Sequence, residues 1–363
     1  MSYNDILIEY AKYQDAARKV MSPSCRVCKI CNGVACAGRF TNSLEMGAKG
    51  NNGGFIHSSR ALENIRIKLD VIHDDYVPDT TYELLGTKFD LPVFAAPIGK
   101  ILTDYIYDSP YFNNNGEYGK ALTHGTHEGG GIAWLGDNKE PGYFEAQVEP
   151  LKDIGGLGIP TIKPWADRDE FWKRYEASMN AGAIAIATDL DAIGLGYQYS
   201  GKGGGKQEGV CARSLKELKE TISRLKVPCI VKGVMSVETA RKALEAGAYG
   251  ILVSNHGGNV VESSLSPSDV LPEIVAAVGK YLKVFADGSV RSGEDVFKLL
   301  ALGADGVGIG RPYVVSVYGG GSRGAAIYTR KIVCELQNIM RLANCKNLSE
   351  ITSEKIQVLT GLR

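Results

Sequence analysis

From Phe55 onward the chain repeats one phrase eight times, a short apolar run with an amphipathic stretch between most neighbouring runs. The runs are PVFAAP (92–97), GGIAWLG (130–136), GIPTIKP (158–164), AIAIATD (183–189), PCIVKGV (228–234), GILVSNHGG (250–258), LKVFADG (282–288) and GVGIGRP (306–312). They are near-continuous rather than alternating, as expected of parallel strands covered on both faces. The stretches between them carry helix signals. SVETARKALEAGA offers Ser236 as N-cap, Glu238 in the first turn and Gly247 as a stop, and SPSDVLPEIVAAVG and SGEDVFKLLALGA follow the same grammar. Eight strand–helix units predict an α/β fold, a closed (β/α)8 TIM barrel. An open doubly wound sheet is the competitor, and eight strands at this spacing favour closure. On this reading an N-terminal helix and cysteine-rich segment (1–54) precede a barrel (55–363).

In such barrels the groups that act on ligands sit at the C-terminal ends of the strands. Those ends are Pro97, Gly136, Lys163, Asp189, Lys232, His256, Asp287 with Gly288, and Gly310 with Arg311. An acid, a histidine, two lysines and two glycine turns thus converge on one mouth. The last two loops, ADGSVRSGEDVFKLL with Arg291 and GIGRP with Arg311, resemble a phosphate cradle. Backbone N–H groups at a helix start favour anions, and glycine lets the backbone come close. The plainer alternative is two tight turns with solvated arginines. An imidazole changes charge near neutral pH, so His256 suits proton transfer. The plainer alternatives are a hydrogen-bonded structural histidine, a helix-capping Asp189 and a solvated Lys232.

Charge and hydropathy narrow the partners. The 363 residues carry 41 basic and 41 acidic side chains, so there is no electrostatic case for nucleic acid or an anionic membrane surface. No run of 18 uncharged apolar residues marks a membrane span. The opening MSYNDILIEYAKYQDAARKV reads as an amphipathic helix without a signal-peptide core. The expectation is a cytoplasmic protein acting on a small-molecule substrate. Four cysteines crowd into CRVCKICNGVAC: Cys25, Cys28, Cys31 and Cys36. The spacing is near that of ferredoxin-type iron–sulfur clusters, though the fourth cysteine is one residue further and no proline follows it. Four thiolates also suit structural zinc, and four reduced thiols are the third reading. YSGKGGGKQEG (199–209) reads as a mobile lid or a passive linker, and YIYDSPYFNNNGEY (105–118) as a surface insertion or a contact loop.

VKGV around Lys232, SNHGG at 254–258 and DGSVRSGEDVFKLLALGADGVGIGRP at 287–312, in this order on these strands, resemble the FMN-dependent α-hydroxy acid dehydrogenase/oxidase family, which includes glycolate and lactate oxidases. The resemblance covers about residues 55–345 and is strongest from Pro228 to Pro312. It implies FMN as cofactor and hydride transfer from a 2-hydroxy acid, or a related hydroxy compound, to flavin N5. His256 then matches the general base, Asp189 the aspartate that orients it, and Lys232 the lysine beside flavin N1 and O2. Asp287, Gly288, Arg291, Gly310 and Arg311 match the ribityl-phosphate site, with Ser254 beside them. Ala96 and Pro97 match the backbone under the flavin ring. The resemblance also implies a homo-oligomer, a tetramer.

Two departures bear on the substrate. Asn259 stands where the family has the arginine that grips the substrate carboxylate, and an amide offers neither charge nor fork. Lys163 stands in place of a carboxylate-contacting tyrosine and is the candidate point charge for the substrate. Flavin contacts made by serine or threonine in the family fall on Gly136 and Ala187. These departures keep an alternative open, an FMN enzyme on another substrate, such as a redox-neutral isomerase resembling the type 2 isopentenyl diphosphate isomerases.

Overall fold

The structure is a computed structural model and describes residues 1–21, 25–37, 48–99, 109–195 and 209–359. All eight expected strands form: β1 Val93–Ala95, β2 Ile132–Leu135, β3 Gly158–Ile162, β4 Ile186–Asp189, β5 Cys229–Val234, β6 Gly250–Val253, β7 Lys283–Ala286 and β8 Gly306–Ile309. They pair in parallel in chain order, and β8 returns to β1, so the barrel closes. The strands are shorter than the apolar runs that announce them. GILVSNHGG is strand only as far as Val253, and GVGIGRP only as far as Ile309. The remainder of each run turns into the mouth.

The helices are α1 Tyr3–Met21, α2 Gly53–Glu63, α3 Asn115–Glu128, α4 Tyr143–Val148, α5 Arg168–Asn180, α6 Leu215–Ser223, α7 Val237–Glu245, α8 Pro267–Val278, α9 Gly293–Ala301 and α10 Arg311–Leu342. Their starts follow the serines. Ser236 accepts from the Thr239 amide and Ser292 from that of Asp295, while Ser214 and Ser266 form capping boxes with Glu217 and Asp269. Each such cap contributes about 1 kcal/mol. Among the described residues no helix is long and apolar enough to cross a membrane.

The barrel interior is a packed core. Phe94 stacks on Trp134 with ring centroids 4.7 Å apart, and Phe285 meets them edge-on at 5.4 and 5.5 Å. These three rings, from β1, β2 and β7, share the interior with the small Ala185 and Ala187 and with Ile230 and Leu252. Large side chains thus meet small ones, so the space fills and any ligand is confined to the mouth.

The N-terminal elements are docked onto this barrel. α1 lies along α10, whose Gly319 and Gly320 pass beneath Tyr13, so that a Cβ at Gly319 would run into the Tyr13 carbonyl. α2 spans the expected 54/55 boundary. Of the tyrosine-rich stretch, residues 105–108 lie outside the described residues, but Phe112 and Tyr118 are buried, and Phe112 sits edge-on to Tyr318 of α10. That part is an anchor between α3 and α10 rather than a surface insertion. All of the glycine-rich segment except Gly209 lies outside the described residues.

Close backbone approach at Gly319 generates a test. Gly319→Val should cost ~1–3 kcal/mol by forcing α1 from its seat. Hydrogen exchange should show protection lost selectively over Tyr3–Met21. Protection unchanged there would mean that α1 does not depend on this contact.

Candidate active site

Strand periodicity builds the mouth. Side chains alternate in direction, so two positions beyond each interior residue the next inward residue lies one layer nearer the C-terminal end. Counting on from Phe94, Trp134, Ile159, Ala187, Ile230, Leu252 and Phe285 gives Ala96, Gly136, Thr161, Asp189, Lys232, Ser254 and Asp287. Gly310 completes the ring, two beyond Gly308, whose position faces Phe94 and Asp287. Three carboxylate or ammonium groups share this layer with small and hydroxylated residues, and Lys163 stands one step above Thr161.

Lys232 is the centre of the layer. Its Nζ donates to Asp189 Oδ1 at 2.7 Å and to Asp191 Oδ1 at 3.3 Å, and lies 3.0 Å from His256 Nδ1. Lys163 Nζ donates to the other Asp189 oxygen at 3.4 Å. Burial alone would raise the Asp189 carboxyl, but Lys232, His256 and Lys163 together hold it well below the usual carboxylate range. Burial alone would lower the Lys232 ammonium, yet Asp189, Asp191 and Asp287 outweigh it and raise it. Asp189, Asp191 and His256 offer ligand atoms within 4.8 Å of one another, the geometry of a metal triad. The Lys232 ammonium already occupies the cationic position among them.

His256 lies just past β6, in a single tight turn, His256–Gly258. Three consecutive residues there are left-handed: His256 (φ +58°), Gly257 (φ +63°) and Gly258 (φ +85°). Histidine tolerates this region at a cost of about 1–3 kcal/mol, a strain met most often at functional sites. The glycines are required by close approach. A Cβ on Gly257 would sit 2.9 Å from an Arg311 nitrogen, and one on Gly258 2.6 Å from the Phe55 amide of α2. Asn255 pins the turn by donating to Ser58, Ser264 and the Leu265 carbonyl and by accepting from the Gly258 amide.

Asp191 is the residue that strand-end reading missed. The expected partner of His256, Asp189, lies 3.7 Å from Nδ1, whereas Asp191 Oδ1 lies at 3.1 Å. Asp189 is instead committed to the two lysines. Asp191 follows β4 in a short 3-10 helix, Leu190–Gly194, and it fits because β5 bulges between Lys232 and Val234. Gly233 there has φ +91°, and a Cβ on it would lie 2.5 Å from Asp191 Cβ. The lysine–glycine pair on β5 is the signal that announces this vacancy.

The two expected substrate contacts are otherwise engaged. Asn259 Nδ2 donates back to the His256 carbonyl at 2.7 Å, bracing the turn. Lys163 is buried against Asp189, and its backbone is fixed by Asp137, which accepts from the Lys163 amide at 2.9 Å, from Trp165 Nε1 at 2.6 Å and from Arg174 Nε at 2.7 Å. Asp137, two residues past the end of β2, was also missed.

The residues fit the flavin mononucleotide that the family resemblance implies. α10 starts at Arg311 with Gly310 as its N-cap and no side-chain cap, so its first N–H groups are available to an anion. Gly288 (φ +104°) and Ser289 (φ +58°) bend the loop after β7 so that Arg291 follows. Asp287 Oδ1, Thr161 Oγ1 and Arg291 Nη2 are buried without a hydrogen-bond partner, as groups that await a polar ligand or water. Ser254 donates to the other Asp287 oxygen at 2.9 Å. Ala96 donates its amide to the Ile309 carbonyl at 2.9 Å, which places Ala96 and Pro97 beside Gly310. Arg311 stacks on the Phe55 ring at 4.1 Å and donates to the Gly257 carbonyl at 3.1 Å. The four clustered cysteines lie beyond Arg291 and Arg311, and no three of their sulfurs converge within 4.8 Å.

Comparison with known proteins agrees with this geometry. A family model described as FMN-dependent dehydrogenase matches residues 168–358. The chain is 31% identical over 333 residues to glycolate oxidase 1 of Zea mays, covering 82% of this chain and 85% of that protein. It is 44% identical over 243 residues to the L-lactate oxidase of Lactobacillus jensenii, covering 59% of this chain and 60% of that protein. Among solved structures, a mandelate oxidase with 2-hydroxy-phenylacetamide superposes with a TM-score of 0.76 at 22% identity, covering 98% of this chain and 99% of that one. At that identity the likeness is one of fold.

Asp287 supplies a pH test. Burial pushes its carboxyl up to about 6, against the opposing pull of Lys232 and the Ser254 hydrogen bond. The folded value exceeds the unfolded one, so this group's contribution to stability is complete below about pH 4 and is lost as the pH rises through about 6. Asp287→Asn should leave the flavin-free chain's stability nearly unchanged at about pH 4 and raise it by about 3 kcal/mol at about pH 8. Denaturant unfolding at the two pH values checks this, and equal effects at both would contradict it.

Proposed function

This chain belongs to the FMN-dependent dehydrogenase family, and from that premise we propose how its barrel mouth oxidises a 2-hydroxy acid, with His256 as the base. The observation that carries the assignment is accessibility. The side chain of His256 is 17% exposed, against 3% for Lys232, 5% for Asp189, 6% for Lys163 and 11% for Asp191. Of these five it is the group a substrate hydroxyl reaches first. With a proton on Nδ1 donated to Asp191, Nε2 carries the lone pair and takes the hydroxyl proton as the carbon loses hydride. FMN, when bound, supplies the acceptor for that hydride. Asp191 steadies the imidazolium that results, and Lys232 and Lys163 keep Asp189 ionised beneath it.

Asn259 and Lys163 shape substrate choice. Neither presents a guanidinium fork, so the acid group of the substrate is held by other means than in the family pattern. The isomerase alternative finds no support in the family match or in these relatives. We also read the chain as a cytoplasmic homo-oligomer, tetrameric by its likeness to the family. Support for assembly comes from four apolar side chains close in sequence, Leu69, Val71, Ile72 and Val77, each more than half exposed.

Two variants test the roles. His256→Asn keeps a residue that tolerates left-handed backbone, so FMN should remain bound while anaerobic flavin bleaching by a panel of 2-hydroxy acids slows by ~10²–10⁴. Bleaching at the native rate would remove His256 from the reaction. Asp191→Asn should lower kcat by about 10- to 100-fold with KM little changed, the pattern of a positioning residue. An unchanged kcat would return that role to Asp189.

A further inference from the structure

Cys25, Cys28, Cys31 and Cys36 play no part in the chemistry of the mouth, yet the fold gathers them. All four are unbridged and partly buried. Together they line one cavity of about 270 Å³, whose remaining walls include Tyr10, Phe55, Arg291, Arg311 and Lys331. Arg26 and Lys29 add two more cations, and among the described residues no Asp or Glu lines the space.

The thiols surround this cavity without meeting at a point. Among the described residues the one set of three or more His, Cys, Asp or Glu ligand atoms within 4.8 Å of one another is Asp189, Asp191 and His256. A single zinc bound at ~2.3 Å draws its four sulfurs to within ~4 Å of each other. A cluster of several irons holds its thiolates further apart, and C-x2-C-x2-C is a spacing that such clusters use.

Burial pushes the Cys25 and Cys36 thiols up, yet polar donors are aimed at both sulfurs. Asn52, wholly buried, donates Nδ2 to Cys36 Sγ at 3.2 Å and to the Gly33 carbonyl at 2.9 Å. The Val27 amide donates to Cys25 Sγ at 3.4 Å. To do so Val27 adopts φ +44°, a region that costs a β-branched residue about 1–3 kcal/mol. Hydrogen bonds aimed at sulfur set the properties of iron–sulfur centres. Arg291 donates Nε to the Cys31 carbonyl at 3.1 Å, and its buried Nη2 has no partner. With all four thiols protonated, the charged side chains on the described part of the wall are all cationic. Four thiolates around an iron–sulfur core bring the missing negative charge.

We propose that Cys25, Cys28, Cys31 and Cys36 hold a four-iron, four-sulfide cluster in this cavity. The site is distinct from the roles given to His256 and Asp191 and does not rest on them. The flavin phosphate is the rival claimant for Arg291 and Arg311, but it requires no cysteine, so flavin and iron contents separate the two. Protein purified without oxygen and loaded with FMN should contain about four irons and four acid-labile sulfides per chain. It should also give a paramagnetic resonance signal on reduction with dithionite. Cys28→Ser and Cys31→Ser should each lower iron and sulfide severalfold while FMN stays bound, and Cys334→Ser should change neither. FMN-loaded protein with iron and sulfide near zero, or with one zinc per chain, would overturn the proposal. Metal analysis of the unaltered chain decides the matter even where a cysteine variant does not fold.

Discussion

A buried ammonium organises the mouth. Lys232 is 2% exposed and touches two carboxylates and an imidazole. Taking such groups out of water costs several kcal/mol each, and removing one partner of a buried pair typically costs 3–5 kcal/mol, because the other is left uncompensated. Lys163, Lys232, Asp189 and Asp191 sum to zero charge. Asp287, in the same layer, adds a negative charge as its carboxyl titrates at about 6, so the groups around His256 are together neutral or anionic rather than cationic. The bulge at Gly233 and the left-handed turn at His256–Gly258 are the backbone distortions that bring these groups into contact.

The N-terminal elements complete that arrangement. α2 places Ser58 against Asn255, and its start is tied through Asn52 to the cysteine segment. α1 reaches the barrel through the close approach of Tyr13 to Gly319 and Gly320. The part of the chain that looked least like a barrel is thus what holds the histidine turn from behind.

Much of this was legible in the residues. Buried parallel strands are apolar at most positions, so all eight announced themselves, and the barrel rule then located Asp189, Lys232, His256 and Asp287. What stayed hidden follows from physics that no periodicity records. Asp191 lies in a short 3-10 helix past the strand end and depends on space opened across the sheet at Gly233. Thr161 was within reach of the period-two count from Ile159, but a threonine inside an apolar run draws no attention. The bond from Asn259 to the His256 carbonyl and the Asp137 network beneath Lys163 arise from tertiary packing alone. The strand ends were overestimated because apolar residues continue past the last ladder hydrogen bond.

Phe55 joins two neighbourhoods. Its ring carries the Arg311 guanidinium at 4.1 Å and that of Arg291 at 5.3 Å, and Arg291 also grips the carbonyl of Cys31. A ligand that draws either arginine toward the mouth must change the free energy with which α2 and the cysteine segment are seated. Thermodynamic reciprocity returns the same amount to the ligand. Cofactor affinity is then a gauge of how well the N-terminal segment has docked, and a lesion that unseats α2 from the barrel is felt as a loosened flavin.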